Sequence, residues 1–164
     1  MNTKLVDHVT AMLEDSLRYT GEKIGDTGAI RLLKNNDADA LGYFRYRLAM
    51  QVGIYLGETS EHVLEVFLYP EMPDEKITVT LPLTMIVRVR KHTAAIESIA
   101  DALQDVLLAE YRKMFSPQAD GLSVLLNVYF LDEDDFLGRK GLSAAVGSLY
   151  TPALRVWSSQ GCRK

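Results

Sequence analysis

The densest cluster of potential metal ligands in the chain is the acidic run Asp132-Glu133-Asp134-Asp135. Carboxylates bind hard cations, and a calcium loop needs oxygen ligands at its first, third and fifth positions and a glycine at its sixth. Counted from Asp132, the fifth residue is Phe136 and the sixth is Leu137, so the run reads as a solvated loop that discourages edge pairing. The three histidines, His8, His62 and His92, stand apart from one another and from any serine, cysteine or aspartate that would make a triad motif. The short glycine pairs Gly25-Asp26-Thr27-Gly28 and Gly138-Arg139-Lys140-Gly141 lack the spacing and the lysine of a phosphate-binding loop and read as turns. Cys162 is the single cysteine. It can form neither an intrachain disulfide nor a zinc cluster. The expectation is no catalytic residue, no metal and no cofactor, and a chain that is more a binder than an enzyme.

Four arginines are more informative, because they lie in two stretches of alternating polarity. Phe44, Tyr46, Leu48, Met50, Val52, Ile54 and Leu56 occupy every even position from 44 to 56. Ile77, Val79, Leu81, Leu83, Met85, Val87 and Val89 occupy every odd position from 77 to 89. A period of two predicts strands with one face in a core. Arg45, Arg47, Gln51 and Tyr55 then share the outer face of the first strand, and Thr80, Thr84, Arg88 and Arg90 that of the third. The middle of this face, with Ala49, Gly53 and Pro82, is small and poor in charge, a surface suited to a partner. Ile86 and Tyr69 share or border it. A rival reading exists for the first stretch. Leu41, Phe44, Leu48, Val52 and Tyr55 also fit a helix, which Asn36 or Asp37 would cap. Gly53, Gly57 and the β-branched Val52 and Ile54 favour the strand.

Other elements must position these strands. Leu5, Val9, Met12, Leu13 and Leu17 predict a helix over 3–20, ended by Gly21. Residues 29–34 are short enough to be helix or strand. A second strand over 62–69 is apolar on both faces apart from Glu65, and a turn over 70–75 returns the chain. Pro82 demands an edge or a bulge. Ile96, Ala100, Leu103, Leu107 and Tyr111 predict a helix over 93–115, capped by Thr93 and stopped by Pro117. A strand over 122–131, a short helix over 142–149 and a strand over 153–157 complete the chain, with a frayed tail from 158 to 164.

The expected fold is therefore one α+β domain spanning 1–164: a single antiparallel sheet of about five strands, in the order α-β-β-β-α-β-(α)-β, with two long helices on one face. That order is similar to small secretion-chaperone-like folds. A net charge of −4 and a pI near 5.4 argue against non-specific nucleic-acid binding. Lone-cysteine usage points to a reducing compartment, the cytoplasm, and no apolar stretch is long enough to span a membrane. The function expected is a non-enzymatic, chaperone-like interaction module that binds a protein partner, or itself as a homodimer, through the outer sheet face. The alternative is a small-molecule binder or enzyme of the cystatin-like or cone-shaped α+β type. Its pocket would lie between the sheet and the 93–115 helix, with Glu65 and Asn127 as the inward polar groups.

Overall fold

The computed structural model describes residues 3–69, 76–132 and 153–159. The expected helix over 142–149, the loop at 138–141, most of the acidic run and Cys162 lie outside them. Four helices and four strands are described: α1 (Thr3–Ile24), α2 (Ala29–Lys34), α3 (Ala38–Thr59), β1 (Val63–Leu68), β2 (Leu83–Val89), α4 (Ala94–Met114), β3 (Leu126–Leu131) and β4 (Leu154–Ser158).

The first alternating stretch is a helix. Asp37 caps α3, its carboxylate accepting from the Ala40 N–H at 2.9 Å. The buried residues Ala40, Leu41, Phe44, Arg45, Leu48, Ala49, Val52, Gly53 and Leu56 recur every three or four positions, a helical stripe. Tyr46, Met50 and Ile54, which a strand would bury, are only half-buried on its flanks. The alternation misled because nearly every residue here is apolar, so both periods find matches. The two glycines that favoured a strand have a tertiary reason instead. A side chain on Gly53 would press on Trp157 and Val156 of β4, and one on Gly57 would overlap the Trp157 indole ring. The helix needs a smooth flank there so that the strand can lie across it.

α1 runs four residues beyond its expected end. Gly21 stays helical, and the chain leaves at Gly25, whose φ of +68° is a conformation that only glycine adopts freely. Ser16 and Thr20 sit on the buried face of α1 at no polar cost, because their hydroxyls donate to the carbonyls of Met12 (2.8 Å) and Ser16 (2.7 Å).

The sheet is mixed, not antiparallel, and has four described strands in the order β3-β2-β1-β4. β1 pairs antiparallel with β2 and with β4, whereas β2 and β3 are parallel. A parallel pair needs a crossover, and α4 supplies it. α3 and α4 cover one face of the sheet, and α1 packs chiefly on those two helices rather than on strands. The shared core includes Phe44, Leu48, Val52, Val66, Met85, Val87, Leu103 and Leu107. At one end the rings of Phe44, Tyr111 and Phe115 pack with centroids 4.6–6.4 Å apart.

β2 begins only at Leu83, so residues 77–82 are not strand. Three side chains, from the turn between α2 and α3, from α4 and from α3, brace them. Asn36 accepts from the Val79 N–H at 3.0 Å, and the Tyr111 hydroxyl donates to the Val79 carbonyl at 2.6 Å. Arg45 of α3 donates to the carbonyls of Leu81 and Pro82. Pro82 precedes the ladder and so removes no donor from it. Burial raises the Tyr111 pKa far above its ordinary value, which keeps that hydroxyl a donor at all physiological pH.

Candidate functional site

The eight residues expected on one outer sheet face do not share a surface. Arg45, Arg47, Gln51 and Tyr55 belong to α3. Arg45 is buried, 7% exposed, and ties α3 to the segment before β2. Arg47 and Gln51 both reach Asp15 of α1, at 2.8 and 2.6 Å, and Arg18 closes on the same carboxylate at 2.8 Å. The Arg47 guanidinium also lies 5.0 Å from the centre of the Tyr19 ring. Tyr55 meets His8 edge-on at 5.1 Å. These contacts join α1 to α3. Thr80 sits in the turn before β2 and shares a hydroxyl hydrogen bond with Thr78. Arg90 lies just past β2, exposed, and its N–H donates to the His62 carbonyl. Only Thr84 and Arg88 occupy the sheet face away from the helices.

The hydrogen bond from Arg47 is the largest influence on Asp15 and holds its carboxyl below the ordinary value of 3.8, against the opposing effect of burial. A depressed carboxylate contributes stability above its unfolded pKa of about 3.9 and loses it as pH falls through the lower folded value. Asp15→Ala is therefore expected to cost about 1–2 kcal/mol at pH 7. The gap between mutant and parent closes below about pH 4. Urea titrations at pH 7 and pH 3 measure it, and an equal gap at both would contradict the assignment.

Glu65 and Asn127 were expected to point inward; both point away from the helices. In β1 the core-facing residues are Val63, Val66 and Leu68, and in β3 they are Leu126, Val128 and Phe130. Strand alternation then places Asn127, Tyr129 and Leu131 on the other face. Glu65 there accepts from Arg88 at 2.7 Å and from Arg155 of β4 at 3.1 Å. Two cations on one carboxylate tie three strands together across the sheet.

That face also carries an apolar cluster of its own, formed by Phe67, Ile86 and Leu131 with Tyr69 and Ala153 packed against them. Tyr129 stands opposite Ile86 in the ladder and is 45% exposed. Thr84 faces Asn127 one pair further along. The surface thus combines a half-exposed aromatic ring, small neutral polar groups and an ion network at one side. Ile86 and Tyr69 are expected near it from the sequence and Tyr129 is not, because Leu122 to Leu131 is apolar on both faces apart from Ser123 and Asn127 and so marks no outer side.

No family model, no curated protein and no solved structure matches the chain. Its surfaces therefore have to speak through their own chemistry. Among the described residues no three histidine, cysteine, aspartate or glutamate side chains converge as metal ligands. No described helix is long and apolar enough to cross a membrane. Between the sheet and α4 lies a groove of about 200 Å³, lined by Glu97, Ala100, Asp101, Gln104, Leu126, Val128 and Phe130. It touches neither Glu65 nor Asn127.

Proposed function

We propose that this chain is a non-enzymatic interaction module that self-associates, as a homodimer, through the sheet face opposite the helices. The observation that carries this reading is Tyr129, 45% exposed beside the Phe67–Ile86–Leu131 cluster. Tyrosine is enriched at interfaces because it offers a large rigid apolar ring with one polar tip. Thr84 and Asn127 beside it are neutral, so burying them against a second copy costs no charge desolvation. The Glu65–Arg88–Arg155 network lies within the same face and is self-neutralising in part, which suits a rim. A chaperone-like role would use the same face for a client protein. The small-molecule alternative draws less support, because the groove against α4 is smaller than the roughly 300–1,000 Å³ of ligand pockets.

Sedimentation velocity tests the proposal. The wild-type protein is expected to be a dimer at tens of micromolar, and Tyr129→Glu to sediment as a folded monomer with an unchanged helical circular dichroism spectrum. A wild-type monomer at that concentration, or an intact dimer in the variant, would refute it.

A further inference from the structure

The other edge of the same sheet offers a second, independent surface. β3 is the outermost described strand, and among the described strands it pairs with β2 alone. The Leu83 N–H donates to the Leu125 carbonyl at 2.7 Å, which sets the parity of the strand. In a ladder a residue sends its N–H and C=O to the same side and its neighbours send theirs to the other. Residues 127, 129 and 131 therefore turn their backbone groups to β2. Leu126, Val128 and Phe130 turn theirs to the outer edge, where no further strand is described. The Gln104 side chain accepts from the Leu126 N–H at 2.8 Å. No described residue hydrogen-bonds the edge-facing groups of Val128 or Phe130.

Natural sheets blunt open edges with charge, proline or bulges. Leu126-Asn127-Val128-Tyr129-Phe130-Leu131 has no charged residue and no proline, and its pairing with β2 has no register shift. The edge is regular and receptive.

α4 forms a wall along it. Gln104 bonds the start of β3, and the His92 ring, at the entry to α4, packs 5.2 Å from the Phe130 ring near its end. Helix and strand thus run side by side in opposite directions, with a groove between them. Its floor is Ala100, Val128 and Phe130, and its rim carries Glu97 and Asp101, both exposed. Four residues of helix advance about 6 Å, close to the roughly 6.6–6.8 Å between alternate residues of a strand. Side chains two apart on an added strand would thus come opposite Glu97 and Asp101 in turn.

We propose that this groove takes an extended segment of a partner protein, added to β3 as a further strand, with lysine or arginine at alternate positions. The backbone of Val128 and Phe130 would supply the ladder. The aliphatic stems of the basic residues would lie on the apolar floor while their heads reach the two carboxylates. A second copy of β3 fits less well, since its own Leu126, Val128 and Phe130 bring no charge to the acidic rim.

A fluorescein-labelled peptide Thr-Lys-Val-Lys-Val-Lys-Thr, with its Glu-for-Lys counterpart, tests this by anisotropy against the full chain. The lysine peptide is expected to bind at least about ten-fold tighter than the glutamate peptide, and a double variant Glu97→Gln, Asp101→Asn to lose at least about ten-fold. Glu14→Gln with Glu22→Gln, the same charge change elsewhere, is expected to leave the affinity unaltered. N-methylating alternate peptide nitrogens removes the ladder donors and is expected to cost a similar factor. Equal binding of both peptides, an indifferent N-methylated peptide, equal losses in both double variants, or no binding at millimolar peptide would each overturn the proposal. Tyr129→Glu, on the opposite face, is expected to leave peptide affinity intact, so this edge and the dimer face stand or fall separately.

Discussion

Replacing Ala49 with aspartate is expected to cost the protein at least about 4 kcal/mol, a large share of the roughly 5–15 kcal/mol that holds a domain folded. Ala49 is fully buried on the inner side of α3. A carboxylate there would be taken out of water, and the one cation a helical turn away, Arg45, is already committed to the Leu81 and Pro82 carbonyls. Added volume aggravates the effect, since a close-packed interior does not accept extra atoms freely. The experiment also decides between the two periodic readings of this segment. In a strand, Ala49 would face outward and an aspartate would be tolerated. Urea denaturation followed by circular dichroism measures it, and a loss below about 1 kcal/mol would favour the strand.

The second large effect is expected at Arg45. Arg45→Met keeps most of the aliphatic bulk and removes the donors that hold the Leu81 and Pro82 carbonyls. A carbonyl left without its partner in a partly buried site costs about 1–3 kcal/mol, and two are affected, so a loss of about 2–6 kcal/mol is expected. Loosening should be greatest in residues 77–82, where Asn36 and Tyr111 alone would remain to hold Val79. Hydrogen exchange at the Val79 N–H, which Asn36 holds at 3.0 Å, is the local readout. Unchanged stability and unchanged exchange would show that the guanidinium is dispensable.

Both effects concern residues that the alternating pattern placed on a wet surface. The pattern of α1 and α4 was easier to read, because charged residues separate their apolar ones and only one period fits. Asp15 and Arg18 interrupt α1, and Glu97, Asp101 and Asp105 mark the outer side of α4. α3 lacks such punctuation. From Phe44 to Leu56 its charged residues are Arg45 and Arg47 alone, and one of them is buried. The signal that favoured the helix was its cap, Asp37, together with Leu41, Phe44, Leu48 and Val52. The glycines outweighed it only because their packing partner, Trp157, lies a hundred residues further on.

The parallel pairing of β2 and β3 was legible in principle. A connection that contains a 21-residue helix can serve as a crossover, whereas a hairpin needs only a tight turn. Strand order and edge identity were not legible, because they depend on β4 pairing with β1, far from it in sequence, rather than with β3. Misreading α3 as a strand displaced Arg45, Arg47, Gln51 and Tyr55 from helix to sheet and so dissolved the predicted surface.

By itself the sequence determined the α+β class, the helices α1 and α4 with the Thr93 cap, the strands that contain β1 and β2, and the failure of the acidic run and the glycine pairs to match ligand motifs. These follow from local periodicity and local spacing. Tertiary structure alone decided that Arg45 is buried, that Asp15 gathers Arg47 and Gln51, that Glu65 spans two arginines from neighbouring strands, and that β3 is the outer described strand, beside two carboxylates of α4. Each of these depends on groups distant in the chain meeting in space. A side chain's desolvation and its partners are set by that meeting and not by its neighbours in sequence.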